Sequence, residues 1–336
     1  LTHQWFGDKI TCRNWENIWL NEGFATFGEA IYNEAVNGKT GYNEFMKFRM
    51  SDAKNAVGSI YVQDVNSINE IFSGNRSYAK GCVVLHMLRG VVGDSTFFRI
   101  LRNYSLDTSI AYNTAVTEDF QRVAEKVHGS DLNYFFTQWI YGENYPKYNV
   151  SWSTESINTN LYRASVNLFQ TANTNPAFFT MPVNIKIITQ RGDTSFTVFN
   201  NLRNQTFDFI ITSKPVSFKI DPENLILKTV TGEDVVPVSF ALEQNYPNPF
   251  NPSTNINYRL GKPSIVKIKV FDILGQEITV LKDEKQREGN YSIRFDAFSL
   301  TGKILSSGIY FYKLEARDFD DIDILFIETR KMIFIK

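Results

Sequence analysis

Two side chains near the start of the sequence have the types and the spacing of a metal site. His3 lies in the segment H-Q-W-F-G-D at residues 3–8, Glu22 lies in W-L-N-E-G-F-A at residues 19–25, and eighteen residues separate them. An imidazole nitrogen and a carboxylate oxygen are both zinc ligands, and two antiparallel packed helices can bring them to one ion. The spacing alone carries little weight, because 36 of the 336 residues are acidic.

The three residues L-T-H at positions 1–3 add to this pattern. They match the end of H-E-x-x-H, in which two histidines on one helix face bind zinc and the glutamate is the general base. If the motif holds, its first histidine and its glutamate precede residue 1. A catalytic zinc site has three protein ligands and an open position. We therefore expect this chain to be a fragment that binds zinc weakly and hydrolyses nothing by itself.

The segments around His3 and Glu22 resemble those of the zinc aminopeptidases related to aminopeptidase N, over roughly residues 1–147. The resemblance implies a helical gluzincin catalytic portion, truncated at its N-terminus, and one Zn²⁺ per chain in the intact enzyme. His3 would be the second zinc ligand, Glu22 the third, and a peptide the substrate. The segment Y-A-K-G at 78–81 also matches the family. It implies that the Tyr78 hydroxyl stabilises the oxyanion, and we interpret Lys80 as structural.

Three functional hypotheses remain open at this point. The first is an exported zinc metallopeptidase that removes N-terminal residues from peptides. The second is a non-catalytic surface or peptide-binding protein that retains the peptidase fold. The third is an endopeptidase of another gluzincin family, which the segment at 19–25 disfavours. The family's substrate-amine segment, G-x-M-E-N, would lie upstream of residue 1, so exopeptidase and endopeptidase action are not distinguished.

Hydrophobic periodicity predicts that residues 1–147 are mainly helical. We expect two helices within residues 1–35, the first ending at Gly7, with a loop at 9–14 between them. A stretch without helical pattern is expected at 59–72. Thr117 is predicted to be an N-cap, and His86 and His128 are interpreted as structural histidines. The further predicted helices cover residues 41–55, 82–92, 96–105, 117–128 and 131–141.

The periodicity changes at residues 145–148 from the helical repeat to the alternation of β-strands. Six short strands predict an antiparallel β-sandwich domain over residues 148–232, with no site chemistry of its own. Residues 228–238 are interpreted as a linker. The predicted strands lie near 149–153, 162–170, 183–189, 195–202, 206–211 and 216–220.

The last hundred residues resemble the C-terminal sorting domain of the type IX secretion system. The resemblance implies a third domain at residues 238–336, a second β-sandwich that is recognised by the secretion machinery. It also implies a protein that a Gram-negative bacterium secretes or displays on its surface. The spacer at 318–329 is longer than usual for the family. The resemblance therefore does not predict the detailed structure of the last hairpin. The matching segments are Q-N-Y-P-N-P-F-N-P at 244–252, F-D-I-L-G-Q-E at 271–277, S-S-G-I-Y-F-Y-K-L at 306–314 and K-M-I-F-I-K at 331–336.

Composition limits the remaining possibilities. The chain is 43% hydrophobic and 21% charged, which is ordinary for a folded protein, and its net charge of −1 disfavours nucleic acid as a partner. No run of about 20 apolar residues is present, so no transmembrane segment is expected. Cys12 and Cys82 are the only cysteines, and the sequence leaves open whether they form a disulfide. We therefore predict a multidomain α+β protein: a helical catalytic portion followed by two antiparallel β-sandwich domains.

Overall fold

The computed structural model describes residues 1–158, 160–171, 173–232, 240–261, 263–298, 305–318 and 324–336. The described chain forms two compact units. The first comprises Leu1–Ser151, Val166–Asp208 and Ser217–Asp234, and the second comprises Trp152–Ser165, Phe209–Val216 and Val235–Lys336. The mixed α+β class predicted from the sequence is confirmed. The domain boundaries at 147, 232 and 238 stay predictions, and residues 233–238 of the predicted linker lie outside the described residues.

Helices dominate the chain up to residue 141. The helices predicted over 82–92, 96–105 and 117–128 are observed within two residues of these bounds, and Gly93 and Gly129 end two of them with positive φ. The helical elements are short 3₁₀ turns at Thr2–Gln4 and Trp15–Asn17, α1 (Trp19–Ala53), α2 (Ile68–Ile71), a π-helical turn at Gly74–Lys80, α3 (Gly81–Val92), α4 (Asp94–Leu106), α5 (Thr117–His128), α6 (Asn133–Phe136) and a π-helical turn at Thr137–Tyr141. None of the described helices is both long and apolar enough to span a membrane.

Four predictions about this helical part need correction. His3 lies in a single 3₁₀ turn rather than at the end of a longer helix. The expected loop at 9–14 contains a strand, β1 (Ile10–Cys12), which pairs in parallel with β2 (Asn113–Ala115) because a partner distant in sequence satisfies its backbone. The stretch at 59–72 includes the short helix α2.

The fourth correction concerns Thr117, which is the first residue of α5 and not its N-cap. The cap position is Val116, whose backbone N–H donates to the Asp119 carboxylate. The Thr117 hydroxyl is instead buried and bonded within the core.

Gly38 breaks the long helix α1 into two. Its φ of 67° and ψ of −167° are non-helical, and this backbone region is essentially restricted to glycine. The break separates the second helix predicted within residues 1–35 from the one predicted over 41–55. Helix α1 packs on α3 through Gly23 and Gly81, where a Cβ built on Gly23 would lie 2.9 Å from the Gly81 carbonyl carbon. The two helices can cross this closely only because both Gly23 and Gly81 lack a side chain.

Two sheets follow in the middle of the chain. One has four strands in the order β7-β4-β3-β9 and the other three strands in the order β6-β5-β8. The strand β9 corrects the linker interpretation: its Thr-Val-Thr sequence pairs in parallel with β3, so this part is not wholly antiparallel. The bounds are β3 (Lys147–Asn158), β4 (Leu161–Gln170), β5 (Met181–Thr189), β6 (Gly192–Asn200), β7 (Asn204–Ile211), β8 (Pro215–Ile220) and β9 (Thr229–Thr231).

The C-terminal part contains two further sheets, ordered β10-β11-β14 and β13-β12-β15-β16. Alternate residues of both sheets bury their side chains in one hydrophobic core, including Tyr258, Val270 and Leu314. The last strand begins at Ile324, inside the segment at 318–329 that the sequence predicts to be a spacer, because its N-terminal half continues the pairing with β15. The bounds are β10 (Ala241–Leu242), β11 (Ser253–Leu260), β12 (Ser264–Phe271), β13 (Glu277–Gln286), β14 (Gly289–Asp296), β15 (Gly308–Arg317) and β16 (Ile324–Phe334).

Candidate zinc site

The tight turn after His3 fixes the orientation of its imidazole ring. Nδ1 of His3 lies 3.2 Å from the carbonyl oxygen of Phe6. A carbonyl oxygen only accepts, so Nδ1 is the donor in this contact, and Nε2 faces the Glu22 carboxylate. Gly7 follows with a φ of +139°, and a Cβ on it would lie 2.9 Å from His3 Nδ1. The turn therefore needs glycine at position 7 for its backbone and for the space beside the ring.

Glu22 lies in the first turn of α1 and faces that imidazole. Its Oε2 is 3.5 Å from His3 Nε2, and its side chain is only 13% exposed. The start of α1 is held from two sides. Asn21 accepts a hydrogen bond from the Cys12 backbone N–H in β1, and the neighbouring Gly23 contacts Gly81 of α3. The carboxylate is thus placed by tertiary contacts of its two neighbours in sequence.

Tyr78 completes the cluster from the π-helical turn that precedes α3. Its hydroxyl lies near the Glu22 carboxylate. Partial burial raises the pKa of Tyr78, and the negative charge of the nearby Glu22 raises it further. The hydroxyl is therefore a neutral donor at neutral pH. The structure brings together all three residues that the sequence analysis selected.

The geometry of the pair fits a zinc ion. Two tetrahedral ligands with bonds of about 2.1 Å lie about 3.4 Å apart, and His3 Nε2 and Glu22 Oε2 are 3.5 Å apart. Cys12 is a poor further ligand, since burial raises the pKa of its thiol to about 11 and the Glu22 charge adds to this effect. Within the described part of the chain, no three His, Cys, Asp or Glu side chains form a metal-binding group. The residues present can supply two ligands.

A buried network that the sequence analysis missed supports the start of α1. Trp19 Nε1 donates to Thr117 Oγ1 at 2.9 Å, and Thr117 Oγ1 donates to Asn17 Oδ1 at 2.7 Å. Asn17 Oδ1 also accepts the Thr117 backbone N–H at 2.9 Å. These bonds tie the residues before Glu22 to the start of α5, about a hundred positions away. No local pattern predicts such a pairing.

Three other residues singled out from the sequence, His86, Cys12 and Cys82, are buried. His86 Nε2 donates to the Asn224 carbonyl at 3.1 Å, so Nδ1 of the neutral ring accepts a hydrogen bond from the Tyr42 hydroxyl at 2.8 Å. Burial lowers the pKa of His86, so it is a satisfied neutral core histidine, as predicted. Cys12 and Cys82 are buried free thiols and form no disulfide.

Comparison with known protein families agrees with this architecture. Residues 1–139 match the Peptidase family M1 domain, and residues 244–327 match the Secretion system C-terminal sorting domain. The N-terminal part is therefore similar to peptidase family M1, and the C-terminal part matches a type IX sorting domain. The sorting domain indicates export to the cell surface or to the outside of the cell.

Individual relatives match the N-terminal part of the chain. The chain is 32% identical over 165 residues to "Probable aminopeptidase 1" of Sulfurisphaera tokodaii, covering 47% of this chain and 21% of that protein. It is 32% identical over 157 residues to "Aminopeptidase N" of Lactococcus lactis, covering 44% and 18%. The chain thus spans about a fifth of the length of these relatives.

A solved structure shares the fold. It is the Legionella pneumophila aminopeptidase A in complex with aspartic acid, with a TM-score of 0.58 and 18% sequence identity. The match covers 69% of this chain and 26% of that chain. At this identity the likeness concerns the fold alone.

Proposed function

We propose that this chain is part of an exported zinc metallopeptidase, an aminopeptidase that removes N-terminal residues from peptides. The observation that carries the proposal is the three-residue cluster. His3 Nε2 lies 3.5 Å from Glu22 Oε2, and Tyr78 is close enough for the Glu22 charge to raise the pKa of its hydroxyl. The names of the relatives favour exopeptidase action.

Each residue of the cluster has a separate role in this proposal. His3 and Glu22 hold Zn²⁺, and the Phe6 carbonyl keeps His3 in the tautomer whose Nε2 is a ligand. When bound, zinc supplies Lewis-acid chemistry and lowers the pKa of a bound water. Tyr78 keeps its proton at neutral pH and donates a hydrogen bond where negative charge develops on the scissile carbonyl oxygen. One such donor contributes a factor of about 10²–10³ in rate.

We propose that residues preceding Leu1 in the longer protein supply the first zinc histidine and the general-base glutamate. Two ligands and no base do not make a hydrolytic site. We therefore expect the 336 residues alone to hydrolyse no peptide bond. We further propose that the middle and C-terminal strands form two β-sandwich domains and that the second is recognised by the type IX machinery.

The proposal is tested on a chain extended toward its N-terminus through the missing half of the motif. Glu22→Gln should abolish retention of zinc, measured by atomic spectroscopy after dialysis, and with it the hydrolysis of aminoacyl amides. Tyr78→Phe should retain one zinc per chain and lower kcat by about 10²–10³. Two matched controls, Glu29→Gln on an exposed turn of α1 and Tyr32→Phe at an exposed position, should leave both properties unchanged.

Two results would contradict the proposal. Full zinc content and activity in Glu22→Gln would remove Glu22 from the site. A folded extended chain without zinc and without hydrolysis would favour the non-catalytic peptide-binding hypothesis.

A further inference from the structure

A cleft of about 660 Å³ lies between the second half of α1 and the segment at 222–228, on the first unit of the structure. Asn43, Lys47, Ser51 and Lys54 line one wall. Their spacing of four, four and three residues places them along one face of the helix. Lys228 lines the facing wall. The cleft is separate from the His3–Glu22–Tyr78 cluster, and none of those three residues lines it.

The cleft contains more lysine ammonium groups than carboxylates that are free to neutralise them. Lys47 and Lys54 have no ion-pair partner among the described residues. The carboxylate of Glu223 is bound by Lys39, at 2.9 Å. Lys228 pairs with Asp221 at 2.7 Å, but that carboxylate is buried and also accepts two backbone N–H groups. The ammonium groups of Lys47 and Lys54 are therefore left without a protein counter-charge.

The two lysines that face each other across the cleft repel one another. Burial lowers the pKa of Lys54, and the positive charge of Lys228 lowers it further. A bound anion between the two ammonium groups would remove this repulsion. A chain with a net charge of −1 has no general excess of cations, so the concentration of lysines here is local.

The segment at 222–228, which forms the wall opposite α1, is held in place by hydrogen bonds within the protein itself. Asp221 and Asn224 adopt positive φ angles, and the Asp221 carboxylate fixes this conformation through the Leu225 and Ile226 backbone N–H groups. His86 Nε2 contacts the Asn224 carbonyl at 3.1 Å. Because a carbonyl only accepts, this nitrogen is the donor, and the neutral ring anchors the segment without adding charge. The lysines can therefore act on a ligand without a large loop rearrangement.

We propose that this cleft binds a phosphate group through Lys47 and Lys54, beside Lys228, whose ammonium also pairs with Asp221. A lysine ammonium binds phosphate as a point charge with three donors, and several such groups around one anion suit a dianion better than a single carboxylate. Asn43 and Ser51 add neutral donors along the same wall. The volume exceeds that of free phosphate, so the group belongs either to a small phosphate ester or to a phosphate-bearing lipid.

The test uses the full chain and two probes, in low-salt buffer at pH 7. Inorganic phosphate is titrated by calorimetry, and binding to vesicles of phosphatidic acid in phosphatidylcholine is measured by co-sedimentation, with pure phosphatidylcholine as reference. We expect saturable binding of at least one probe. Lys54→Gln should weaken it about tenfold, the effect of removing one charged hydrogen bond. Lys126→Gln removes one exposed positive charge from α5 and should change it less than twofold.

Each outcome decides the question. Binding of inorganic phosphate that Lys54→Gln weakens supports a soluble phosphate ester, and vesicle binding alone with the same sensitivity supports a lipid. No saturable binding to either probe overturns the proposal. Equal weakening by Lys54→Gln and Lys126→Gln also overturns it, because the effect would then come from net charge. Circular dichroism of both variants excludes a folding defect as the cause.

Discussion

The burial of Lys80 makes the stability of this protein depend on pH. Lys80 is 1% exposed, and its Nζ has no hydrogen-bond partner within the described structure. Burial lowers the pKa of Lys80 from 10.5 to about 8, while Glu143 opposes and Arg76 adds to the shift. Keeping the ammonium charged in the folded state therefore costs about 3 kcal/mol, at about 1.36 kcal/mol for each pH unit of the difference.

The sign of the pH dependence follows from the order of the two pKa values. Below pH 8 Lys80 is charged in both states and the full cost is present. Between pH 8 and 10.5 the unfolded chain keeps the proton and the folded chain loses it, so stability rises with pH. Lys80→Met replaces the ammonium by an apolar group of similar length and removes the effect. We expect the variant to be about 3 kcal/mol more stable than the parent at pH 7, and this difference to vanish by pH 10.5.

The assay is urea unfolding of the parent chain and of Lys80→Met at several pH values from 7 to 10.5, followed by tryptophan fluorescence. Taking the difference between the two proteins cancels the titration of the buried tyrosines, which is common to both. Lys126→Met is the control, since Lys126 is exposed and its removal should give a small difference that does not change with pH. A Lys80→Met variant less stable than the parent at pH 7, with no pH dependence, would show that the Glu143 charge outweighs the cost of burial.

Two further changes test how the site and its surroundings are held. Gly23→Ala should lower the free energy of unfolding by about 1–3 kcal/mol, because the new Cβ would lie 2.9 Å from the Gly81 backbone; urea unfolding with an unchanged midpoint would contradict the close crossing. Asp221→Asn should cost about 3–5 kcal/mol, because it leaves the Lys228 ammonium, whose side chain is 8% exposed, without its buried partner. Lys228→Met in the Asp221→Asn background should recover part of that loss, and no recovery would show that the loss comes from the backbone bonds of Asp221.

Much of the fold follows from local sequence patterns. The change from helical periodicity to alternation near residue 147 marks the change from helices to strands, and most predicted elements lie within a few residues of the observed ones. Such patterns are reliable because the period of buried side chains depends only on the geometry of the element itself. The segments at 3–8, 19–25 and 78–81 likewise selected the three residues that the structure brings together.

Contacts between distant residues decided what the sequence left open or assigned wrongly. Strand β9 looked like a linker, since three residues form a strand only when β3 supplies their hydrogen bonds. Thr117 looked like a helix cap, but Asn17 and Trp19 bind its hydroxyl in the core. In each case the stabilising hydrogen bonds come from a partner that the local sequence does not identify.

The sequence by itself selected His3, Glu22 and Tyr78 as candidate site residues, because imidazole, carboxylate and phenol groups have fixed donor and acceptor properties. The tertiary structure alone decided that they meet. Gly23 of α1 approaches Gly81 of α3 closely enough to place Glu22 beside Tyr78, and Gly7 leaves room for the His3 ring. A glycine in a sequence indicates a flexible backbone with no side chain. The tertiary structure alone shows which chain segment packs against that glycine.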